Sequence, residues 1–255
     1  MNSIFLKAYN EVVVKGERLS MSIRYYFAAT LVALTILAQV SQKFFAEESH
    51  IVRRTPTDQK VVALTFDDGP NVKTTYEILK ILKEKNVKAT FFVLGENVAV
   101  HPEIIQKAKE EGHEIASHSY THRYLNKLSQ EECSDEMDQA EKIIEQYAGK
   151  PTLFRPPGGL YNDKVIEEAQ KRNYNVILWS IDTLDWQRPS VNSVVKAVTT
   201  KVKPGDIVLM HDGLYPMPTP KALPIIIDKL RANKYSIVTV GEVLKYEELK
   251  ETGKF

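Results

Sequence analysis

Seven short runs of β-branched and aromatic residues alternate with six stretches of helical period, and this alternation limits the fold more than any other feature. The runs cover residues 61–66, 89–94, 113–117, 152–155, 175–181, 206–210 and 236–240. The stretches between them, 74–85, 102–111, 129–147, 163–172, 191–202 and 220–232, place apolar residues three and four apart. Ser129 and Glu132 stand at the spacing of a capping box, which predicts the start of the third helix. Strands separated by helices pair in parallel through right-handed crossovers. No glycine-rich phosphate loop follows any run, so the pattern predicts an α/β barrel of parallel strands rather than a doubly wound sheet.

A length of 255 residues with 43% apolar content suits one domain with a full core. The formal charge of +1 gives no sign of a nucleic-acid partner, and no protein partner is indicated. Cys133, the single cysteine, reads as a small, partly buried side chain and excludes an intrachain disulfide. Residues 25–42, YYFAATLVALTILAQVSQ, are uncharged and mostly apolar, with Lys15, Arg18 and Arg24 before them. By the positive-inside rule the N-terminus stays cytosolic and the rest is exported. The expected organisation is a cytosolic segment over 1–24, with Met21 a candidate true start, and a signal peptide or membrane anchor over 25–46. A polar linker over 47–60 and a single domain over 61–255 follow. The protein is expected on the outer side of the membrane, secreted or anchored.

The polar residues gather where the strands end. Asp67 and Asp68 follow the first run, His118 to His122 the third, and Arg155-Pro-Pro-Gly-Gly159 closes the fourth. Asp182-Thr-Leu-Asp-Trp186 follows the fifth and His211-Asp212 the sixth. Strand C-terminal ends form the rim on which parallel barrels assemble active sites. In HSYTH the two imidazoles stand four apart, a spacing that on a helical turn lets both grip one metal ion. An aspartate from a neighbouring strand end would complete a His-His-Asp set, suited to zinc and to other first-row divalent ions. One aspartate of the pair can then bind metal while the other takes a proton from water. Gly69-Pro70 would end the strand and release both side chains from strict alternation. Taken alone, Asp-Asp-Gly-Pro is also an ordinary solvated turn.

TFDDG, HSYTH, RPPGG, DTLDW and LMH resemble, in order, the five motifs of NodB-type polysaccharide deacetylases, carbohydrate esterase family four, over residues 61–244. The resemblance implies a distorted (β/α)7 barrel and a metal-dependent N-deacetylase. Its substrate would be the N-acetylglucosamine residues of a polysaccharide, peptidoglycan or chitin-type oligomers. It implies Asp67 as general base, and Asp68, His118 and His122 as ligands of one divalent ion, zinc first and cobalt or another first-row ion next. Arg155 would pair with Asp67 and aim it, His211 would be the general acid, and Asp185 would orient His211. Leu209 would line the acetyl pocket and Trp186 would wall the groove. Many relatives carry tyrosine where this chain has Gly158, so the chemistry is expected to survive with a different substrate fit, and Tyr161 is a candidate to fill the space. Asp182 reads as a second partner of the site or a strand-end cap, and Asp212 as a solvated loop residue or a tuner of His211. The alternatives are an O-acetyl esterase on xylan-like polymers and a catalytically silent, wall-binding structural protein.

Overall fold

The side chains of one strand, pointing alternately to two faces, organise the domain. Residues 61–67, strand β2 below, are buried at every position. Val62, Leu64 and Phe66 join the larger apolar cluster, with Ile78, Leu79 and Leu82 from one helix and Leu223, Ile226 and Ile227 from another. Val61 and Ala63 face the other way, into a second cluster with Phe92, Ile177, Ile207, Val240 and Val243. One face therefore meets the outer helices and the other the sheet's concave interior. Thr65 and Asp67 continue the inner row, so the interior turns polar towards the strand's C-terminal end. Truncating a side chain as enclosed as Leu64 to alanine costs about 2–5 kcal/mol.

The computed structural model describes residues 29–30, 32–38 and 51–252. The chain divides into a unit over Met1–Ser49 and a unit over His50–Phe255. In the first, residues 29–30 and 32–38 are helical, with Val32, Leu34, Ile36 and Leu37 exposed. No helix among the described residues is long and apolar enough to cross a membrane. Residues 1–24 and the remainder of the expected signal or anchor over 25–46 lie outside the described residues.

In the second unit the strands are β1 (Ile51–Val52), β2 (Val61–Asp67), β3 (Thr90–Val93), β4 (Glu114–Ser117), β5 (Leu153–Phe154), β6 (Asn175–Ile177), β7 (Ile181–Asp182), β8 (Asp206–His211) and β9 (Ser236–Val238). Helices α1 (Thr74–Glu84), α2 (Gly95–Val100), α3 (Pro102–Glu110), α4 (Gln130–Ala148), α5 (Asp163–Lys171), α6 (Val191–Thr199), α7 (Thr219–Ala232) and α8 (Val240–Thr252) lie between and after them. The sheet runs β1-β6-β5-β4-β3-β2-β8-β7, with β9 added on β2. β2 is its centre: β8 flanks it from Val62 to Asp67, while β3 and β9 share its other edge. These strand pairs are parallel, as the alternation predicts. The capping box also forms, with Ser129 Oγ accepting from Glu132 N–H at 3.1 Å and Glu132 Oε2 accepting from Ser129 N–H at 2.9 Å.

Two expectations need correction. The single strand expected over 175–181 is two strands, β6 bonded to β5 and β7 bonded to β8. Between them Leu178 gives its N–H to Val52 O and Ser180 gives its N–H to Ile207 O, so the chain changes partners within three residues. The result is an α/β half-barrel of parallel strands whose two ends are joined by the chain itself, consistent with the distorted (β/α)7 barrel expected. The linker expected over 47–60 also takes part in the fold. Within it β1 pairs with β6, and Arg54 forms an ion pair with the fully buried Asp206 at 2.5 Å. Two helices, α2 and α8, and the short β1 were not foreseen. Cys133 is fully buried, in a third cluster with Leu125, Met137 and Phe154.

Candidate metal centre and active site

The two aspartates reach one pocket through a single torsion. Asp67 is the last inward residue of β2, and strict alternation would turn Asp68 away from it. Asp68 instead has φ of 73°, a left-handed conformation that aspartate tolerates better than most residues. The turn swings its carboxylate to the pocket, where Oδ1 lies 3.4 Å from His118 Nε2 and 3.4 Å from His122 Nε2. Asp67 Oδ2 lies 3.7 Å from the same His118 nitrogen.

The histidines do not sit on a helical turn. Residues 118–122 form a loop in which Ser119 and His122 have φ of 69° and 62°. Glu136, reaching over from α4, holds the loop in place. Its carboxylate accepts from the Tyr120 N–H at 3.1 Å, the Thr121 N–H at 2.9 Å and the Thr121 hydroxyl. The first amides of α2, Gly95 and Glu96, bond to the carbonyls of Ser119 and Tyr120. His118 is fixed further, since its Nδ1–H donates to Arg155 O at 2.7 Å and leaves the Nε2 lone pair aimed at Asp68.

This donor set fits a divalent ion. Asp68, His118 and His122 offer one carboxylate oxygen and two imidazole nitrogens, all within 4.8 Å of one another. Asp68 Oδ1 is buried with no hydrogen-bond partner, an orphaned acceptor of the kind a cation satisfies. Burial opposes the charge on Asp68, yet His118, His122 and His211 outweigh it and hold the carboxyl down to about 2. Burial likewise opposes charge on His118, and Asp67 and Asp68 overcome it and raise its proton affinity. His122, where burial and the neighbouring His118 dominate, moves down. The negative potential that favours a proton on His118 also favours a metal cation.

Arg155 joins the catalytic rim to the broken strand. It is wholly buried, and its Nη1–H groups donate to Asp67 Oδ1 at 2.5 Å and Thr65 Oγ1 at 2.9 Å. Nε donates to Ile177 O and Nη2 to Leu178 O, both at 3.1 Å. These carbonyls lie where β6 ends, so the arginine satisfies backbone acceptors at the break in the strand. Its guanidinium also stacks 3.9 Å from the centre of the Phe92 ring.

Across the pocket stands His211. Its Nδ1 lies 2.7 Å from Asp185 Oδ1, and its own N–H donates to Asp185 Oδ2 at 2.8 Å. The Thr219 hydroxyl bonds to the same Oδ2. Burial would lower the imidazole's pKa, but the bond to Asp185 and the charges of Asp67 and Asp68 push it up to about 9. Asp182 accepts from the Leu184 N–H at 2.8 Å and so caps the turn that carries Asp185. Leu209 is buried on β8, whereas Trp186 is half exposed. Gly158 has φ of 63° in the turn Pro157–Gly159.

Asp212 is not solvated. It is 1% exposed, accepts from Thr75 Oγ1 at 2.6 Å, and burial pushes its carboxyl up to about 7. Its carboxylate packs against Gly69, where a β-carbon would come within 2.3 Å of Oδ2. Tyr161 does not fill the space beside Gly158; it packs with the cluster around Leu125 and accepts a hydrogen bond from Arg53. Glu136, Thr75 and Thr219 were missed because each acts on a loop distant in sequence, and no local pattern marks them.

The fold, the donor set and the order of the motifs point to one lineage. The family model described as polysaccharide deacetylase matches residues 54–177. A peptidoglycan-N-acetylglucosamine deacetylase from Bacillus cereus is 38% identical over 201 residues, covering 78% of this chain and 94% of the relative. The chain belongs to the polysaccharide deacetylase family. A chitooligosaccharide deacetylase from a Bradyrhizobium strain is 40% identical over 157 residues, 61% of this chain and 72% of that protein. The crystal structure of the Bc1960 peptidoglycan N-acetylglucosamine deacetylase superposes with a TM-score of 0.76 at 34% identity, covering 79% of this chain and 95% of that one. Polysaccharide deacetylases are hydrolases of carbon–nitrogen bonds other than peptide bonds, and members of this family depend on a metal.

Proposed function

We propose that this polysaccharide deacetylase removes acetyl groups from N-acetylglucosamine residues of a glycan, with peptidoglycan the first substrate and chitin-type oligomers the second. The observation that carries the reading is the convergence of Asp68, His118 and His122 beside a second carboxylate, Asp67, that is braced by Arg155. Asp68, His118 and His122 would hold the ion, with zinc first in order and cobalt or another first-row ion next. An ion held there supplies Lewis acidity, making a nearby water more acidic and the acetyl carbonyl more electrophilic.

The chain's own groups account for the proton traffic. Arg155 occupies Asp67 Oδ1 and leaves Oδ2 to take a proton from the attacking water. The water oxygen bonds to the acetyl carbon. Gly159 and Leu160 give their N–H groups to Pro156 O and Pro157 O, and the Gly158 N–H is assigned to the developing oxyanion. His211, its Nδ1 held by Asp185, donates from Nε2 to the sugar nitrogen as the carbon–nitrogen bond breaks. Acetate and a free amine are the products. Leu209 lines the space for the acetyl methyl group, and Trp186 forms an outer wall. The protein is assigned to the outer side of the membrane, on the support of apolar residues 25–42 preceded by Lys15, Arg18 and Arg24.

The test is acetate release from N-acetylglucosamine oligomers, muropeptides and acetylxylan by the zinc- and cobalt-loaded protein. The first two substrates are expected to be cleaved and the ester substrate to lag. Asp68→Ala is expected to lose at least about 100-fold in kcat/KM together with metal binding. Undiminished turnover in that variant, or in the presence of a strong chelator, would refute the metal-centred mechanism.

A further inference from the structure

The rim of the site has an aromatic residue that the motif pattern does not contain. Tyr124 lies two residues beyond His122, and the two rings are 6.3 Å apart, centre to centre. Its ring stands over Gly158: a β-carbon added to that glycine would come within 3.0 Å of Tyr124 Cε1 and 3.7 Å of Cδ1. The space beside the acetyl-binding turn, left open by a glycine, is thus bounded by a tyrosine from a different loop. The ring is 44% exposed, although the next residue, Leu125, is fully buried in the cluster with Cys133 and Met137. Tyr124 O also accepts from the Lys127 N–H at 3.0 Å, and Lys127 Nζ sits 5.3 Å from the ring centre. The backbone is therefore anchored immediately after the tyrosine while its side chain stays open to solvent, as a preformed contact surface requires.

We propose that Tyr124 is a substrate-binding residue, supplying the aromatic wall that Gly158 omits and packing against the apolar face of a pyranose in the acetylated glycan. The inference rests on the N-deacetylase reading and adds a specificity determinant to it. A sugar ring presents C–H groups on its faces and hydroxyls at its edge, and a tyrosine offers an apolar body with a polar tip. One such contact changes ground-state binding without touching the reacting bond, so its loss raises KM and leaves kcat. Gly158 and Tyr124 then form a matched pair, because any side chain at 158 would displace the ring.

The experiment compares wild type, Tyr124→Ala, Tyr124→Phe, Gly158→Ala and the Tyr124→Ala/Gly158→Ala double variant on an N-acetylglucosamine tetramer. Tyr124→Ala is expected to raise KM about three- to tenfold with kcat changed less than about twofold, and Tyr124→Phe to restore most of the loss. Gly158→Ala is expected to lower kcat in both backgrounds, because alanine is strained at φ of 63°, and to raise KM further only while Tyr124 is present. The Kd for the tetramer, measured by calorimetry in a metal-loaded Asp67→Asn background, is expected to shift by the same factor on Tyr124→Ala. Unchanged KM and Kd would overturn the proposal. So would a fall in kcat with weakened metal binding, since the ring would then be bracing His122. A wild type that releases no acetate from any glycan defeats the deacetylase reading, while the calorimetric arm still decides whether Tyr124 contacts sugar.

Discussion

Asp67 and Asp68 show how one backbone angle converts a repelling pair into two separate functions. The left-handed turn at Asp68 places its carboxylate between two imidazoles, while Asp67 stays on the inner row of β2 under Arg155. The two residue types were legible as a pair, and so was their place at a strand end. The torsion was not, because nothing in Thr-Phe-Asp-Asp-Gly-Pro specifies which residue breaks the alternation. A similar pairing governs His211, where the bond to Asp185 outweighs burial and lifts the imidazole to about 9. A general acid works while protonated, so its contribution is present below that value and lost as pH rises through it. Asp185→Asn removes the largest contribution that opposes burial, leaving the charges of Asp67 and Asp68, and so lowers the His211 pKa. The alkaline limb of the kcat/KM profile is then expected to move to lower pH, with activity at pH 8 reduced by about tenfold or more. An unmoved limb would show that His211 is not the group whose titration the profile reports.

Among the elements, the loop 118–122 is the clearest case of a structure built by a distant part of the chain. Glu136 on α4 spends both carboxylate oxygens on three donors of that loop, and α2 binds it from the other side. Glu136→Ala is expected to weaken metal affinity about 10- to 100-fold without loss of helix content. Competition against a chromophoric chelator and far-UV circular dichroism would measure the two quantities. An intact affinity would mean that α2 alone suffices. The sequence showed the histidine spacing and implied a helix, but the spacing constrains only the side chains, and a loop with two left-handed residues satisfies it equally well. The same limit explains the strand over residues 175–181. Asn-Val-Ile-Leu-Trp-Ser-Ile reads as one β run, and Arg155, which takes the carbonyls at the break, lies twenty residues earlier in the chain. Helix α8 has Val240, Val243 and Leu244 near its start, too short an apolar pattern to announce a helix.

At the scale of the molecule, the sheet's interior is apolar at one end and polar at the other, and the alternation of strands and helices was enough to foresee that the polar end carries the site. What it left open was closure: parallel strands and crossovers are local in pattern, whereas joining the sheet's ends depends on contacts across the whole chain. The ion contributes to stability by binding the native state alone, about 2.7 kcal/mol at a hundredfold excess over its Kd. Chelation is therefore expected to lower the melting temperature while the far-UV spectrum at 25 °C is retained, and restoring the ion is expected to reverse the change. Collapse of the spectrum on chelation would contradict this. The ground for the expectation is that the Asp68 turn and the clasp of Glu136 on the histidine loop are held by hydrogen bonds and packing that involve no cation. A receptor assembled before its guest arrives does not choose that guest while folding. Its occupant is decided by the medium, so two preparations of the same polypeptide raised on different trace elements should differ in catalytic rate while sharing one architecture.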